Sequence, residues 1–481
     1  MKSTNLYKIA WLICLLALAT GCLFAQFSGG FGTEVDPYQV STAAELNSVR
    51  NYLTCHFVQI NDIDLGIAPY NLGTGWNPIG AVTAFSGVYD GNGHTIYNLI
   101  INDPSSYHRG LFAKAENGQL QNIRLQGCYI VSSSSSGILV GIASAEQITN
   151  CFISGEISSL ANDTGGLAGT ANNYTTIQNC ETQVTVSGFH YTAGLVGWAN
   201  FAQIDNCKTV AVISGDDSCG GLVGDSVHSN ISNSYAFATL NTLMSTGGLV
   251  GMTRSSSNIE NCFFSGQISG TEIAGGITGQ LDLTSTLTNS YSVASFLGGN
   301  SIGGLVSNAN PGVISGSYWN TDVSGPVDHN FGEGRTTIEM TYRFAPNTYV
   351  GWDFENIWNV DLSGNNNSGY PFLWEEPVSV SDLQNPIPIV IVSSFPNPFT
   401  ERVTLKAKLL TAGQISCVIY NLKGQMVKRF PMQYTKIGEI SYDWDGKDDC
   451  QRPITNGIYF INLIVNGRSF GRSKVTFIRR P

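Results

Sequence analysis

Carboxylates that lie close together are the first residues to weigh for chemistry in this 481-residue chain. Between residues 96 and 320 the densest group is Asp216, Asp217 and Asp225. Glycoside hydrolysis uses two carboxyl groups flanking the scissile bond, and a lyase uses a positioned base. Basic residues in the same stretch are few (Arg109, Lys114, Arg124, Lys208 and Arg254), and none is expected one repeat away beside an Asp. A solvated acidic loop is therefore the expectation, and no catalytic residue is assigned. Asp90, Asn92 and His94 alternate with Gly91 and Gly93, whose backbone freedom points to a tight turn. Asp361, Ser363, Asn365 and Asn367 alternate as Ca²⁺ ligands do, but the usual bidentate Glu is missing. No other cofactor is implied. His56, His94, His108, His190, His228 and His329 show no metal-binding spacing.

These residues must be positioned by a repeat. Gly220-Gly221-Leu222-Val223-Gly224 followed by Asn230-Ile231-Ser232-Asn233-Ser234 recurs with variations from about residue 96 to residue 320. The leucine position falls at Leu111, Ile138, Leu167, Leu195, Leu222, Leu249, Ile277 and Leu305, in steps of 27 to 29. A second column reads Ile96, Leu120, Ile148, Ile177, Ile204, Ile231, Ile259, Leu287 and Ile314. Two residues on stands Asn98, Asn122, Asn150, Asn179, Asn206, Asn233, Asn261 and Asn289, broken at Gly316. The next position reads Leu99, Ile123, Cys151, Cys180, Cys207, Ser234, Cys262, Ser290 and Ser317. Columns in register at one period indicate a solenoid. Gly and Ser interrupt every run too soon for good helices, and the runs between are β-branched or alternating. The expected fold is all-β: a right-handed parallel β-helix with rungs ~4.8 Å apart. Its Ile and Leu columns would be interior, and its Asn column hydrogen-bonded from rung to rung.

Eleven cysteines include Cys14 and Cys22 near the N-terminus. The odd remainder argues against complete pairing, and the Cys/Ser alternation suggests small buried fillers. Lys2 and Lys8 precede the apolar run Ile9–Leu18, which is too short to cross a bilayer. A signal peptide over 1–25 is expected, cleaved after Ala25; the rival is lipoprotein processing at Cys22. Residues 26–395 hold 8 Lys/Arg against 29 Asp/Glu, whereas 396–481 hold 14 against 6. An acidic body suits neither nucleic acid nor anionic membranes.

In chain order, residues 26–95 are expected to hold an N-terminal cap and first strands. Thr42-Ala43-Ala44-Glu45 is a capping box for a helix from about Ala43 to Leu53. The repeat occupies 96–320. The aromatic stretch 321–375, with one helical turn near Thr336–Met340, is expected to close the last coil; a sugar-binding platform is its rival. A Pro-containing linker covers 376–394. Short alternating strands with an Asn466-Gly467 hairpin signal make 395–481 an Ig-like sandwich.

The Gly-Gly-Leu-Val-Gly repeats with their Ile-x-Asn-Cys spacers resemble the GLUG-motif family of bacterial surface proteins. The likeness spans roughly 30–375 and includes Gly32-Thr33-Glu34-Val35-Asp36-Pro37-Tyr38 and Phe85–Ile96. It implies an adhesin-like role without catalytic residues. Repeats at Ile138, Ala168, Ile277 and Ser307 depart from the consensus. The last unit resembles the type A sorting domain of the type IX secretion system, and is similar to the Ig-like domain of flagellar hook-capping proteins. The carrying residues are Phe395-Pro396-Asn397-Pro398-Phe399, Val418–Gly424, Trp444-Asp445-Gly446-Lys447-Asp448, Gly457-Ile458-Tyr459 and the basic end Lys474–Arg480. Lys423 stands where that family more often has a small apolar residue. The resemblance implies passage through the periplasm, outer-membrane export by the type IX machinery, and removal of the domain on attachment to surface polysaccharide. The expectation is a secreted or surface-held, non-catalytic rod that binds a glycan or protein. The alternative is a carbohydrate-active β-helix enzyme.

Overall fold

The structure is a computed structural model that describes residues 26–374 and 389–479, except 271, 283, 311, 363–365, 410–412, 422–425, 432, 436–437, 450 and 466–467. The expected signal peptide, most of the linker and the Asn466-Gly467 turn lie outside the described residues. Two units separate at Glu375/Glu376.

In the first unit each repeat makes four short strands, each on its own face of a parallel solenoid. One rung runs Cys219–Gly220 on face one, Val223–Val227 on face two, Asn230–Ser232 on face three and Tyr235–Thr242 on face four. The corresponding sheets have 7, 8, 11 and 12 strands, one of the last twelve lying off the main path. Alternation decides what points inward: in Tyr235–Thr242 it is Ala236, Ala238, Leu240 and Thr242. On face three Ile148, Ile177, Ile204, Ile231, Ile259 and Leu287 stack partner on partner without slippage. Each is at most 1 % exposed, and burying such a side chain stabilises by ~1.5–3 kcal/mol.

The motif glycines are set by crowding between rungs. A Cβ on Gly221 would lie 2.2 Å from the carbonyl oxygen of Gly248, and one on Gly224 2.5 Å from that of Gly197. The Asn column has another cause. Asn122, Asn150, Asn179, Asn206, Asn233, Asn261 and Asn289 all sit in the left-handed region, with φ between 46° and 55°. Asn tolerates that conformation better than most residues, and Gly tolerates it freely. Gly316, at φ 54°, is thus an equivalent and not a break. The amides also form the expected ladder: Asn150 Nδ2 donates to Asn122 Oδ1 at 3.2 Å, Asn179 to Asn150 at 3.2 Å and Asn206 to Asn179 at 2.8 Å.

Three positions depart from the expected columns. Ile96 stacks between Ile63 and Leu125 on face four, whereas Leu120 follows Tyr89 on face three. Asn98 bonds Asp64, and Asn122 Nδ2 donates at 2.9 Å to Asp90, which lies beneath Gln121. Leu99 leaves its column likewise, its carbonyl accepting from the Tyr129 amide. The step from 96 to 120 is only 24 residues, too short for one circuit. Stacking also begins before the repeat does. Tyr38–Val40, His56–Gln59 and Val88–Asp90 are already face-three strands. Between the first two lies the expected helix, α-helical over Ala43–Ser48 and 3₁₀ over Val49–Asn51, with both capping-box bonds made. Leu46 and Val49 belong to the rod's own core.

At the other end the stretch after residue 320 divides. Val327 and Phe331 pack on the core of the last coil. Phe344, Tyr349, Trp352, Phe354, Trp358 and Tyr370 cover the outside of face four, where Phe263 and Tyr291 stack at 5.0 Å and Tyr370 stacks on Tyr291 at 6.0 Å. Trp352, Trp358 and Tyr370 are at most 7 % exposed. A sugar-binding platform is excluded for these three rings. The helical turn Thr337–Met340 is present with its Thr336 capping box.

The second unit is two antiparallel sheets with a shared core. One contains Ile389–Phe395, Val403–Leu409 and Gly438–Trp444; the other contains Gly413–Asn421, Met426–Arg429, Gln433–Thr435, Gly457–Val465 and Arg468–Phe477. The first strand starts at Ile389, inside the stretch expected as linker. Phe399 packs on Trp444 and Phe477 at 5.3 and 5.0 Å. Asn397 Oδ1 accepts from the Thr476 amide at 2.8 Å, so Asn397 and Phe399 pin the last strand.

Two outcomes follow for the rod. Asn206→Ala should cost ~1–2 kcal/mol, the left-handed penalty of a residue with a Cβ, while Asn206→Gly should cost less than half as much; denaturant midpoints of the two variants check this. Glu146 provides the second. It is fully buried at a corner, its Oε2 accepting from the Gly118 amide at 2.9 Å. Burial pushes its carboxyl up to about 8, partly offset by that bond. Because the folded value lies above the unfolded one, this group's contribution to stability is complete below about pH 4.5 and is lost as pH rises through about 8. Thermal midpoints taken from pH 5 to 9 should fall for the native chain and fall less for Glu146→Gln.

Candidate functional site

Apart from Asp216, the carboxylates singled out in the sequence are committed to internal bonds. Asp90 Oδ1 accepts from the Asn92 amide at 2.7 Å and from Asn122, and its Oδ2 accepts from Gln121 at 2.8 Å. Asn92 has φ 50° and Gly93 φ 78°, which makes this the expected turn. His94 faces Asp62 at 3.4 Å on the surface. Asp361 Oδ2 accepts from the amides of Asn366, Asn367 and Gly369 at 3.2, 2.7 and 3.0 Å. Asn367 in turn bonds Tyr291 and the Pro371 carbonyl. This pair closes a loop around the aromatic cover; Ser363 and Asn365 lie outside the described residues. Among the described residues no three His, Cys, Asp or Glu side chains converge on a metal-sized site.

The acidic group is rearranged. Asp216 contributes its backbone, its carbonyl accepting from Met244 at 2.7 Å. Asp217 Oδ1 accepts from the amides of Ser218 and Ser245 at 2.8 and 3.2 Å. Asp225 is wholly buried on face two and paired with Arg254, whose Nε donates at 3.0 Å. Burial raises the Asp225 carboxyl and Arg254 pulls it down, leaving it above the ordinary value. Asp163 joins the group. Burial raises it most, the Ser135 hydroxyl at 2.9 Å offsets this, and the Asp225 charge adds to the rise. The expectation that no basic residue lies a rung from an Asp is corrected here. Arg254 reaches Asp225 diagonally, because Asp225 pairs in register with Met252 and Val227 with Arg254. Asp163 was missed for the same reason: it sits two rungs away and at a different corner, with no sequence proximity to mark it. A carboxylate with no solvent exposure, held by its own guanidinium, cannot meet a glycosidic bond.

The cysteine column is a structural device. Cys151, Cys180, Cys207 and Cys262 are free and buried. Each thiol points at the carbonyl two residues back, at 3.1–3.4 Å. Ser234, Ser290 and Ser317 make the same bond. Ser234 also accepts from the Cys207 amide at 3.0 Å. Cys and Ser exchange because either supplies one hydrogen to one carbonyl within the same small volume.

What sequence reasoning did not single out is the outer side of face three. In seven successive strands, from Gln119–Gln121 to Thr286–Thr288, the middle residue is buried and the flanking two face out. Every flanking residue is Gln, Asn, Thr, Ser, Asp or Glu. The side chains bond along the axis. Asn258 Nδ2 donates to Asn230 Oδ1 at 2.7 Å, Asn230 to Gln203 at 3.1 Å, and the Thr286 hydroxyl to Asn258 at 2.8 Å. Between the two rows lies a cleft of about 370 Å³ floored by Ile231, with Asn230, Asn258 and Thr286 on one wall and Ser232, Glu260 and Thr288 on the other. Two residues ahead of the first row, Tyr174, Phe201 and His228 stack in a column, with ring centres 5.7 and 4.5 Å apart. Tyr174 is 72 % exposed. The signal available in sequence was the i, i+2, i+4 alternation Phe201-Ala202-Gln203-Ile204-Asp205, repeated a rung away in His228–Ser232.

The chain is 40 % identical over 117 residues to a "Gly-rich membrane protein" of Evansella cellulosilytica, a match covering 24 % of this chain and 14 % of that one. It is 34 % identical over 150 residues to halomucin of Haloquadratum walsbyi, covering 29 % of this chain and 2 % of that one. It thus spans only a small part of these relatives. Among solved structures, an IgA1 protease is similar at 18 % identity and TM-score 0.43, over 52 % of this chain and 21 % of that one. Residues 393–475 match the family model described as the secretion system C-terminal sorting domain. The C-terminal unit is a type IX secretion sorting domain, which makes this a β-solenoid protein sorted for secretion by that system.

Proposed function

We propose that the chain is a non-catalytic binding or display module of the cell surface. On this reading it reaches the periplasm by a cleaved signal peptide over 1–25 and crosses the outer membrane by its sorting domain. The observation that carries the reading is the commitment of its carboxylates: Asp90, Asp217, Asp225 and Asp361 all accept hydrogen bonds or ion pairs that hold the rod or its cover together. A catalytic pair needs carboxyls opposed across a space that a substrate can enter. The Gly-Gly-Leu-Val-Gly repeats support a GLUG-type surface role, and the two-sheet second unit supports an Ig-like fold for the sorting domain. The carbohydrate-active alternative rests on the partly buried Asp163 and Asp217 beside the wholly buried Asp225, whose charge acts on Asp163 and feels that of Asp217.

Incubating the full chain with neutral and acidic polysaccharides should release no product. Release that disappears in Asp217→Asn or Asp163→Asn would establish the enzyme instead. Removing residues 389–481, which takes the whole sandwich including its first strand, should leave the protein inside the cell; an unchanged surface yield would refute sorting by this unit.

A further inference from the structure

The cleft on face three has the chemistry of a binding trough for an extended glycan. We propose that a neutral polysaccharide strand lies along the rod axis between the two outer rows of face three. This rests on the binding reading above and gives it a place and a ligand class.

The first argument is the hydrogen-bond inventory. Asn230 donates one N–H to Gln203 and accepts once from Asn258. A carboxamide has two N–H bonds and two lone pairs, so one of each remains to face outward. The ladder bonds fix the amide plane before any ligand arrives, which lowers the ordering cost of binding. Sugar hydroxyls both donate and accept, and a wall of half-used amides and hydroxyls pairs with them group for group. Spacing is the second argument. Equivalent positions recur every ~4.8 Å along the axis, close to the advance of one pyranose ring in an extended chain. Successive rungs therefore offer the same contacts to successive sugars.

Charge is the third argument and selects the class. From Gln119 to Thr288 the outward rows hold Asp205 and Glu260 and no Lys, Arg or His. A polyanion would meet these carboxylates, and an acidic body behind them, with no cation to answer its charge. Asp205 is occupied by Ser232 and Asn233, both donating to its Oδ1. The rim supplies the fourth. Phe201 and Tyr174, one and two rungs before the cleft, give an exposed apolar edge beside the same polar rows, suited to the C–H faces of a sugar ring.

The test uses the full chain on an array of neutral glucans and mannans, acidic polysaccharides and surface proteins, with three variants in parallel. Ser232→Arg fills the trough, Thr288→Arg fills it two rungs on, and Tyr174→Ala trims the rim; unchanged circular dichroism and melting confirm folding. Binding to at least one neutral polysaccharide is expected, weakened at least tenfold by either arginine variant and several-fold by Tyr174→Ala. Neutral-glycan or protein binding that none of the variants alters would overturn the trough while leaving the binding role standing. No ligand on any probe would overturn both. Acidic polysaccharide bound in preference to neutral would overturn the assigned class.

Discussion

Parallel pairing between consecutive rungs holds equivalent backbone atoms ~4.8 Å apart along one axis, and every side chain in the rod must answer to that spacing. It excludes a Cβ at Gly221 and Gly224, where the neighbouring carbonyl is already within 2.5 Å. It brings like residues face to face, so an Ile stacks on an Ile and an amide bonds an amide. It also demands that every rung turn its corners alike. The third face turns through a left-handed residue, which Asn supplies repeatedly and Gly once.

That constraint explains how much of the fold was legible in the sequence. Whatever repeats at one period could be read: the Ile and Leu columns, the amide ladder, and the Cys and Ser positions as small buried fillers. Whatever departs from the period was misread. Ile96, Asn98 and Leu99 entered the wrong columns because a 24-residue step was accepted as a circuit. The Asn column was understood as a ladder and not as a backbone requirement, although Gly316 hinted at it. The Asp225–Arg254 pair escaped because it runs diagonally, and Asp163 because two rungs separate it from Asp225.

The candidate site was less legible for a different reason. Catalytic and metal-binding residues announce themselves by charge and by unusual type. An outward row of Gln, Asn, Thr and Ser looks in sequence like any solvated strand. Only the register shows those rows to be continuous, bonded along the axis and separated by a cleft. In the sorting unit the relation is reversed. Its motif residues mark family membership, and their packing gives the reason: Phe399, Trp444 and Phe477 meet in one core, and Trp444 Nε1 bonds the Lys447 carbonyl at 2.9 Å.

The amide ladder has a direction. Asn206 donates to Asn179, Asn179 to Asn150, Asn150 to Asn122 and Asn122 to Asp90. Every N–H points toward the N-terminal end, so the bond dipoles add, as peptide dipoles do along a helix. The positive pole of this series meets the carboxylate of Asp90; one rung beyond Asn206, Asn233 donates to the carboxylate of Asp205 instead. From Asp90 to Asn206 the solenoid is thus electrically polar along its axis, with an anion seated at the foot of the run as an acidic residue sits at the start of a helix.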